Sequence, residues 1–174
     1  MTFDERVQAV AKFGFTDRQA RFLVMLHAGV CVPRQYATFA GTAYGHNVTQ
    51  CFEKLTEGGY ATASDCLHNR AALYHVHHQA LYRAIGQPQS RDRRPVSARP
   101  AIDRMRLLDG VINNPELIWL ATEEDKVAFF NLMVPSLPPE RLPHIGKASS
   151  GRVRLFPDAL PIGVDPNGRV VFCT

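Results

Sequence analysis

Asn47-Val-Thr-Gln-Cys-Phe-Glu-Lys-Leu-Thr-Glu-Gly-Gly-Tyr60 decides how the chain reads. Val48, Cys51, Phe52 and Leu55 recur at three- and four-residue spacing, the signature of a helix with one buried stripe. Asn47 stands as an N-cap with Gln50 three residues on, a capping-box pattern. Gly58-Gly59 ends the helix, since glycine accepts the backbone conformations that follow a last turn. The side chains left outside the stripe are His46, Asn47, Thr49, Gln50, Glu53 and Lys54. Upstream, Pro33 suits a first helical position, where a missing N–H costs nothing. Tyr36, Phe39 and Ala40 then give Pro33–Gly41 a single apolar face. Thr42–His46 turns the chain between the two helices. Downstream of Gly59 the helical period disappears. Tyr60 to Val76 reads as two short strands, with Leu67–Arg70 at the tip and β-favouring residues over Leu73–Val76.

A bracing helix, a turn and a second helix with polar side chains outward is what a helix–turn–helix requires to reach base edges in a major groove. A hairpin directly after that second helix is a wing. On Cys51–Tyr60 and on Asn69-Arg70 through Val76, the chain resembles the winged helix-turn-helix superfamily, over about Asp17 to Gly86. The resemblance implies a DNA-binding domain. The residues expected at DNA are His46, Asn47, Thr49, Gln50 and Lys54 on the second helix and Arg70 at the wing tip, with Arg34 at the start of the preceding helix on a phosphate. Glu53 is out of keeping with phosphates, though it can accept from cytosine.

Length and composition bound the alternatives. A chain of 174 residues with 45% hydrophobic content suits one domain or two small ones. No run approaches the roughly 18 apolar residues of a membrane span. The N-terminus lacks the basic-then-apolar pattern of a secretory signal. Four cysteines without metal spacing or disulfide density point to a reducing cytoplasm. The net charge of +4 is modest, but its distribution is uneven. Residues 88–99 hold four arginines against one aspartate, whereas the flanking segments are nearly balanced. Pro88–Pro100 is therefore expected as an extended basic linker, either with Arg91, Arg93 and Arg94 along phosphates or as a solvated segment that the arginines keep soluble. It separates a domain at 1–87 from a second at 101–174.

Elsewhere the signals are local. Thr2 with Glu5 and Thr16 with Gln19 are capping boxes for two N-terminal helices. Val30–Val32 is a short strand expected to pair at the base of the wing, and Gln79–Gly86 is one more helix. His75 and His77 share one strand face beside His78. No acid or cysteine adjoins them, so a hydrogen-bonded or exposed cluster is expected rather than a metal site. In the second domain, Ala101–Asn113 reads as a helix and Leu117–Leu120 as a buried strand. Thr122 caps a helix with acids in its first turn, and Arg152–Phe156 alternates as a strand. Asp165-Pro-Asn-Gly168 is the turn of a hairpin. The chain stops just after an apolar strand, which suggests an N-terminal fragment of a longer protein and hence a truncated second domain.

Leu155 to Phe172 looks like part of the replication-relaxation family of mobile-element proteins. That resemblance implies a winged helix followed by an α/β core related to restriction-type nucleases, with carboxylates holding a divalent metal. Asp158 matches the first acid and Asp165 lies in the turn. Arg169–Thr174 supplies neither acid nor lysine, so one aspartate is left without its partners, and a turn role for Asp158 is the simpler reading. The expectation is an α+β protein without a cofactor or enzymatic activity. It would be a homodimeric, cytoplasmic regulator of transcription or replication, in bacteria or a mobile element, that binds double-stranded DNA. The alternatives are the N-terminal portion of a metal-dependent nuclease and a winged helix that binds protein.

Overall fold

The computed structural model describes residues 1–26, 29–65, 72–120, 122–145, 154–156 and 161–172. It is a mixed α+β structure that divides into two compact units, Met1–Asn113 and Asn114–Thr174.

The first unit opens with α1 (Phe3–Ala11) and α2 (Asp17–Met25). Both begin on the expected capping boxes. Thr2 and Glu5 exchange backbone-to-side-chain bonds of 2.7 and 3.2 Å, and Thr16 and Gln19 exchange bonds of 3.0 and 3.3 Å. The strand β1 (Val30–Cys31) follows, then α3 (Pro33–Ala40) with proline in its first turn. Gly41 closes α3 at φ +62°, a left-handed conformation that favours glycine. Next come α4 (His46–Glu57), β2 (Ala61–Asp65), β3 (Ala72–Val76) and α5 (Gln79–Ala84). The strands form an antiparallel sheet in the order β1-β3-β2. Its register pairs Val30 with His75, Cys31 with Tyr74 and Ala61 with Val76. The short strand at Val30 therefore joins the hairpin as expected.

The stripe of α4 is the centre of the core. Val48, Cys51 and Leu55 are fully buried and Phe52 is 2% exposed. A run of aromatic contacts crosses from α3 to the sheet. Phe39 meets Phe22 at 5.6 Å, Phe22 meets Tyr36 at 5.2 Å, Tyr36 meets Phe52 at 6.3 Å and Phe52 meets Tyr74 at 4.4 Å between ring centroids. Such offset and edge contacts add to the area they bury. One expectation fails here: Asn47 is not the N-cap. Gly45 caps α4, and its carbonyl accepts from Val48 and Thr49 at 3.0 and 3.1 Å. Asn47 therefore falls inside the first turn with its side chain exposed.

The basic stretch is not an extended linker. A 3-10 turn covers Arg91–Arg93, and α6 (Ala98–Ile112) begins before Pro100. Proline is tolerated in that first turn because its N–H would have no helical partner. Asp92 anchors the stretch. It is 7% exposed, its carboxylate pairs with Arg104 at 3.3 Å, and its carbonyl accepts from His75 Nε2 at 2.7 Å. The helix expected to open the second domain thus belongs to the first unit, where Leu108 and Ile112 join the same core. A Pro/Arg composition signals the absence of a hydrophobic stripe. It carries no trace of one buried aspartate able to pin the segment down.

The second unit holds β4 (Ile118–Leu120), α7 (Glu123–Met133), β5 (His144–Ile145), β6 (Arg154–Leu155), β7 (Ile162–Val164) and β8 (Val170–Phe172). One sheet runs β4-β7-β8, and β5 pairs with β6. Leu142, Phe156 and Ile162 form its core, with the Phe130 and Phe156 rings stacked at 5.4 Å. Thr122 caps α7 in a box with Asp125, and Asp165 Oδ1 accepts the amides of Asn167 and Arg169 at 2.8 Å each in the hairpin turn. The expected buried strand at Leu117–Leu120 is instead a short edge strand with Ile118 67% exposed. A four-residue apolar run carries no period, so it says nothing about which side is covered.

Candidate nucleic-acid interface

At 100° per residue, the buried stripe of α4 leaves His46, Gln50, Glu53 and Glu57 pointing away from the core. Thr49 lies on one flank of that outward row and Asn47 on the other. All six are exposed. The first two turns of that row carry hydrogen-bonding side chains and no carboxylate. The last two carry acids. Tyr44, 66% exposed, precedes the helix. An open groove of about 490 Å³ runs beside Asn47 and Gln50, with Arg18, Tyr36 and Thr42 on its other walls. The Thr42 hydroxyl is buried without a hydrogen-bond partner.

Lys54 does not belong to this face. Its ammonium donates to the Gly14 carbonyl and sits 5.2 Å from the centre of the Phe15 ring. It ties α4 to the turn between α1 and α2. The expectation that it faces DNA is corrected on this geometry: the residue borders the buried stripe, and a long aliphatic stem carries its charge across that border.

Arg34 is also engaged. Its guanidinium makes a fork onto Asp109, at 3.1 and 2.7 Å. The adjacent Gln35 is fully buried. It accepts from the Val32 amide at 3.0 Å and donates to Asp109 and to the Met105 carbonyl, both at 2.8 Å. Helices α3 and α6 are joined through this cluster rather than through a phosphate.

The three arginines of the basic stretch divide by role. Arg93 donates to the carbonyls of His77 and Pro88, each at 3.1 Å. Arg91 and Arg94 are exposed and have no side-chain partner among the described residues. Arg70 and Asp158 lie outside the described residues.

The three histidines at the end of β3 make contacts within the first unit. His75 holds the Asp92 carbonyl, and His78 Nδ1 accepts from the Ala80 amide at 3.3 Å as the N-cap of α5. His77 is held below the ordinary histidine range by burial first, and then by His75, His78 and Arg93. Cys31 and Cys51 are buried free thiols. Burial pushes Cys51 up to about 12 and raises Cys31 as well. Thiols held protonated in this way are packing groups, not nucleophiles. Among the described residues, no three His, Cys, Asp or Glu side chains converge as a metal set, and no helix is long and apolar enough to cross a membrane.

Family models, curated proteins and solved structures give no match to this chain.

Proposed function

We propose that the first unit is a winged helix–turn–helix that binds double-stranded DNA in a regulatory role. Helix α4 would lie in a major groove and the β2–β3 hairpin would serve as the wing. The observation that carries this reading is the uncommitted polar face on the first two turns of α4. The side chains of His46, Asn47 and Gln50 are exposed and make no hydrogen bond to the rest of the described chain. A helix–turn–helix presents such side chains from the N-terminal part of its second helix. The order α2, β1, α3, α4, β2, β3, with β1 added beside β3, supports the same reading. Binding as a homodimer on paired half-sites fits the regulatory role.

Fluorescence anisotropy of a labelled random-sequence duplex, titrated with the full chain at several salt concentrations, tests it. Affinity that falls as salt rises is the expected result. Absence of binding at low salt removes the DNA reading.

A second reading is favoured by the engagement of Lys54 and Arg34 and by the acids Glu53 and Glu57. On that reading the same face binds another protein. It predicts no affinity for the duplex and binding to a protein partner that salt barely changes.

A further inference from the structure

We propose that α4 recognises adenine-bearing base pairs, with the Asn47 and Gln50 amides as the specificity-determining groups, and that no side chain of α4 reads guanine. The inference rests on the DNA-binding reading above and adds the chemical identity of the target.

The major groove gives each base its own pattern. Adenine offers an acceptor at N7 and a donor at N6, which a side-chain amide matches with one N–H and one carbonyl. Guanine offers two acceptors, N7 and O6, which call for the two donors of arginine or for lysine. The only lysine or arginine on α4 is Lys54. Its ammonium is held by the Gly14 carbonyl and the Phe15 ring. Arg34 on α3 is held in the fork on Asp109. Arg18 on α2 donates to the Ala40 carbonyl at 3.3 Å. Lys54 is thus held within the fold, and Arg34 and Arg18 each have an internal partner, while both amides are exposed and uncommitted.

Asn47 and Gln50 are three residues apart, so they stand about one turn apart along the same side of the helix. That spacing lets the two amides address neighbouring base pairs. Both lie in the first two turns, the part of the helix that enters the groove. Glu53 and Glu57 lie farther along, where two acids oppose close approach of phosphates. They orient α4 with its N-terminus inward. The two ring nitrogens of His46 point in divergent directions, so the imidazole does not make the paired contact guanine invites. Thr49 donates its hydroxyl to the Gly45 carbonyl at 3.3 Å and leaves its methyl for a thymine methyl.

Selection of duplexes from a random library by the full chain, followed by sequencing, tests the proposal. The expected motif carries adenine, on either strand, at two neighbouring positions. Asn47→Ala and Gln50→Ala each relax one of those positions and lower affinity for the selected duplex on the order of tenfold or more. Neither changes affinity for unselected duplex, and far-UV circular dichroism confirms the fold of each. Placing 7-deaza-adenine at the same positions removes the N7 acceptor and produces a matching loss in the unaltered chain. Gln50→Arg shifts one position from adenine to guanine. A motif built on guanine, or one indifferent to both alanine variants, overturns the adenine assignment and leaves DNA binding standing. Failure to bind any duplex at low salt overturns both.

Discussion

Replacing Gln35 by methionine tests the cluster that fastens α6 to the rest of the first unit. Gln35 is fully buried, and methionine nearly matches its volume, so the change removes hydrogen bonds without opening a cavity. Two losses dominate. The Val32 amide loses its acceptor in a site where that residue is 7% exposed, and an unsatisfied buried donor costs about 1–3 kcal/mol. Asp109 loses one donor but keeps the Arg34 fork, so that loss is smaller, about 1 kcal/mol. The sum is roughly 3 kcal/mol, a large part of the 5–15 kcal/mol typical of a domain. For a unit of this size it corresponds to a fall in Tm on the order of 10 °C.

The chain carries its own probes. All five tyrosines lie in the first unit and the single tryptophan, Trp119, lies in the second. Urea and thermal melts followed by the tyrosine near-UV signal therefore report the first unit, and tryptophan fluorescence reports the second. Arg34→Ala is the internal comparison. It breaks the fork on the same Asp109, but the arginine side chain is 65% exposed, so solvent screening limits the cost to below about 1 kcal/mol. The reasoning is refuted if Gln35→Met melts with the unaltered chain, or if Arg34→Ala costs as much as Gln35→Met.

Lys54→Met is expected to lower first-unit stability by about 1 kcal/mol in the same melts, through loss of the bond to Gly14, and to leave duplex affinity unchanged. For His77, the lowered proton affinity means that the unfolded chain binds the proton more readily just below the ordinary value of about 6.5. First-unit stability should therefore rise with pH through that window, and His77→Gln should flatten the rise in urea titrations at successive pH values. Cys31 and Cys51 should resist iodoacetamide in the native state at neutral pH and react once the first unit is unfolded in urea; mass spectrometry of the peptides that contain them reads this directly. Arg91→Ala and Arg94→Ala should each reduce the salt dependence of duplex binding by roughly one unit of slope, whereas Arg93→Ala should lower stability.

The parts of the fold that depend on near neighbours were legible in the sequence. The α4 stripe of Val48, Cys51, Phe52 and Leu55 follows from a period of 3.6, and all four are buried. Thr2, Thr16 and Thr122 each cap a helix because their partners sit three residues along. Most misses concern partners far away in sequence; a local exception is the N-cap of α4, which is Gly45 and not Asn47. Lys54 meets Gly14 forty residues upstream, and Arg34 meets Asp109 seventy-five residues downstream. Periodicity shows which face of a helix is buried. It does not show where a long charged side chain at the edge of that face sends its head group. The segment from Pro88 to Pro100 failed for a related reason. Its composition describes the chain locally, while its structure is set by contacts of Asp92 and Arg93 with β3, the residue that follows β3 and α6.

These misses bear on function as well as on fold. Each arginine or lysine drawn into an internal contact is one less phosphate ligand, and phosphate contacts supply most of the sequence-independent affinity of a DNA-binding protein. On the proposed DNA reading, with Lys54, Arg34 and Arg93 engaged, the exposed Arg91 and Arg94 would contribute about two units of slope, before Arg70 and other exposed cations are counted. A DNA binder with few phosphate contacts binds weakly unless base contacts make up the difference, because the phosphate contribution is independent of sequence. On that reading the hydrogen-bonding first half of α4 is suited to the task, because an amide that finds guanine in place of adenine leaves its carbonyl without a donor in a desolvated groove. On the proposed reading, the internal use of cations and the reliance on amides are two consequences of one arrangement. Among the described residues, the charge that fastens α4 and α3 into the first unit is the charge that the outward face of α4 lacks.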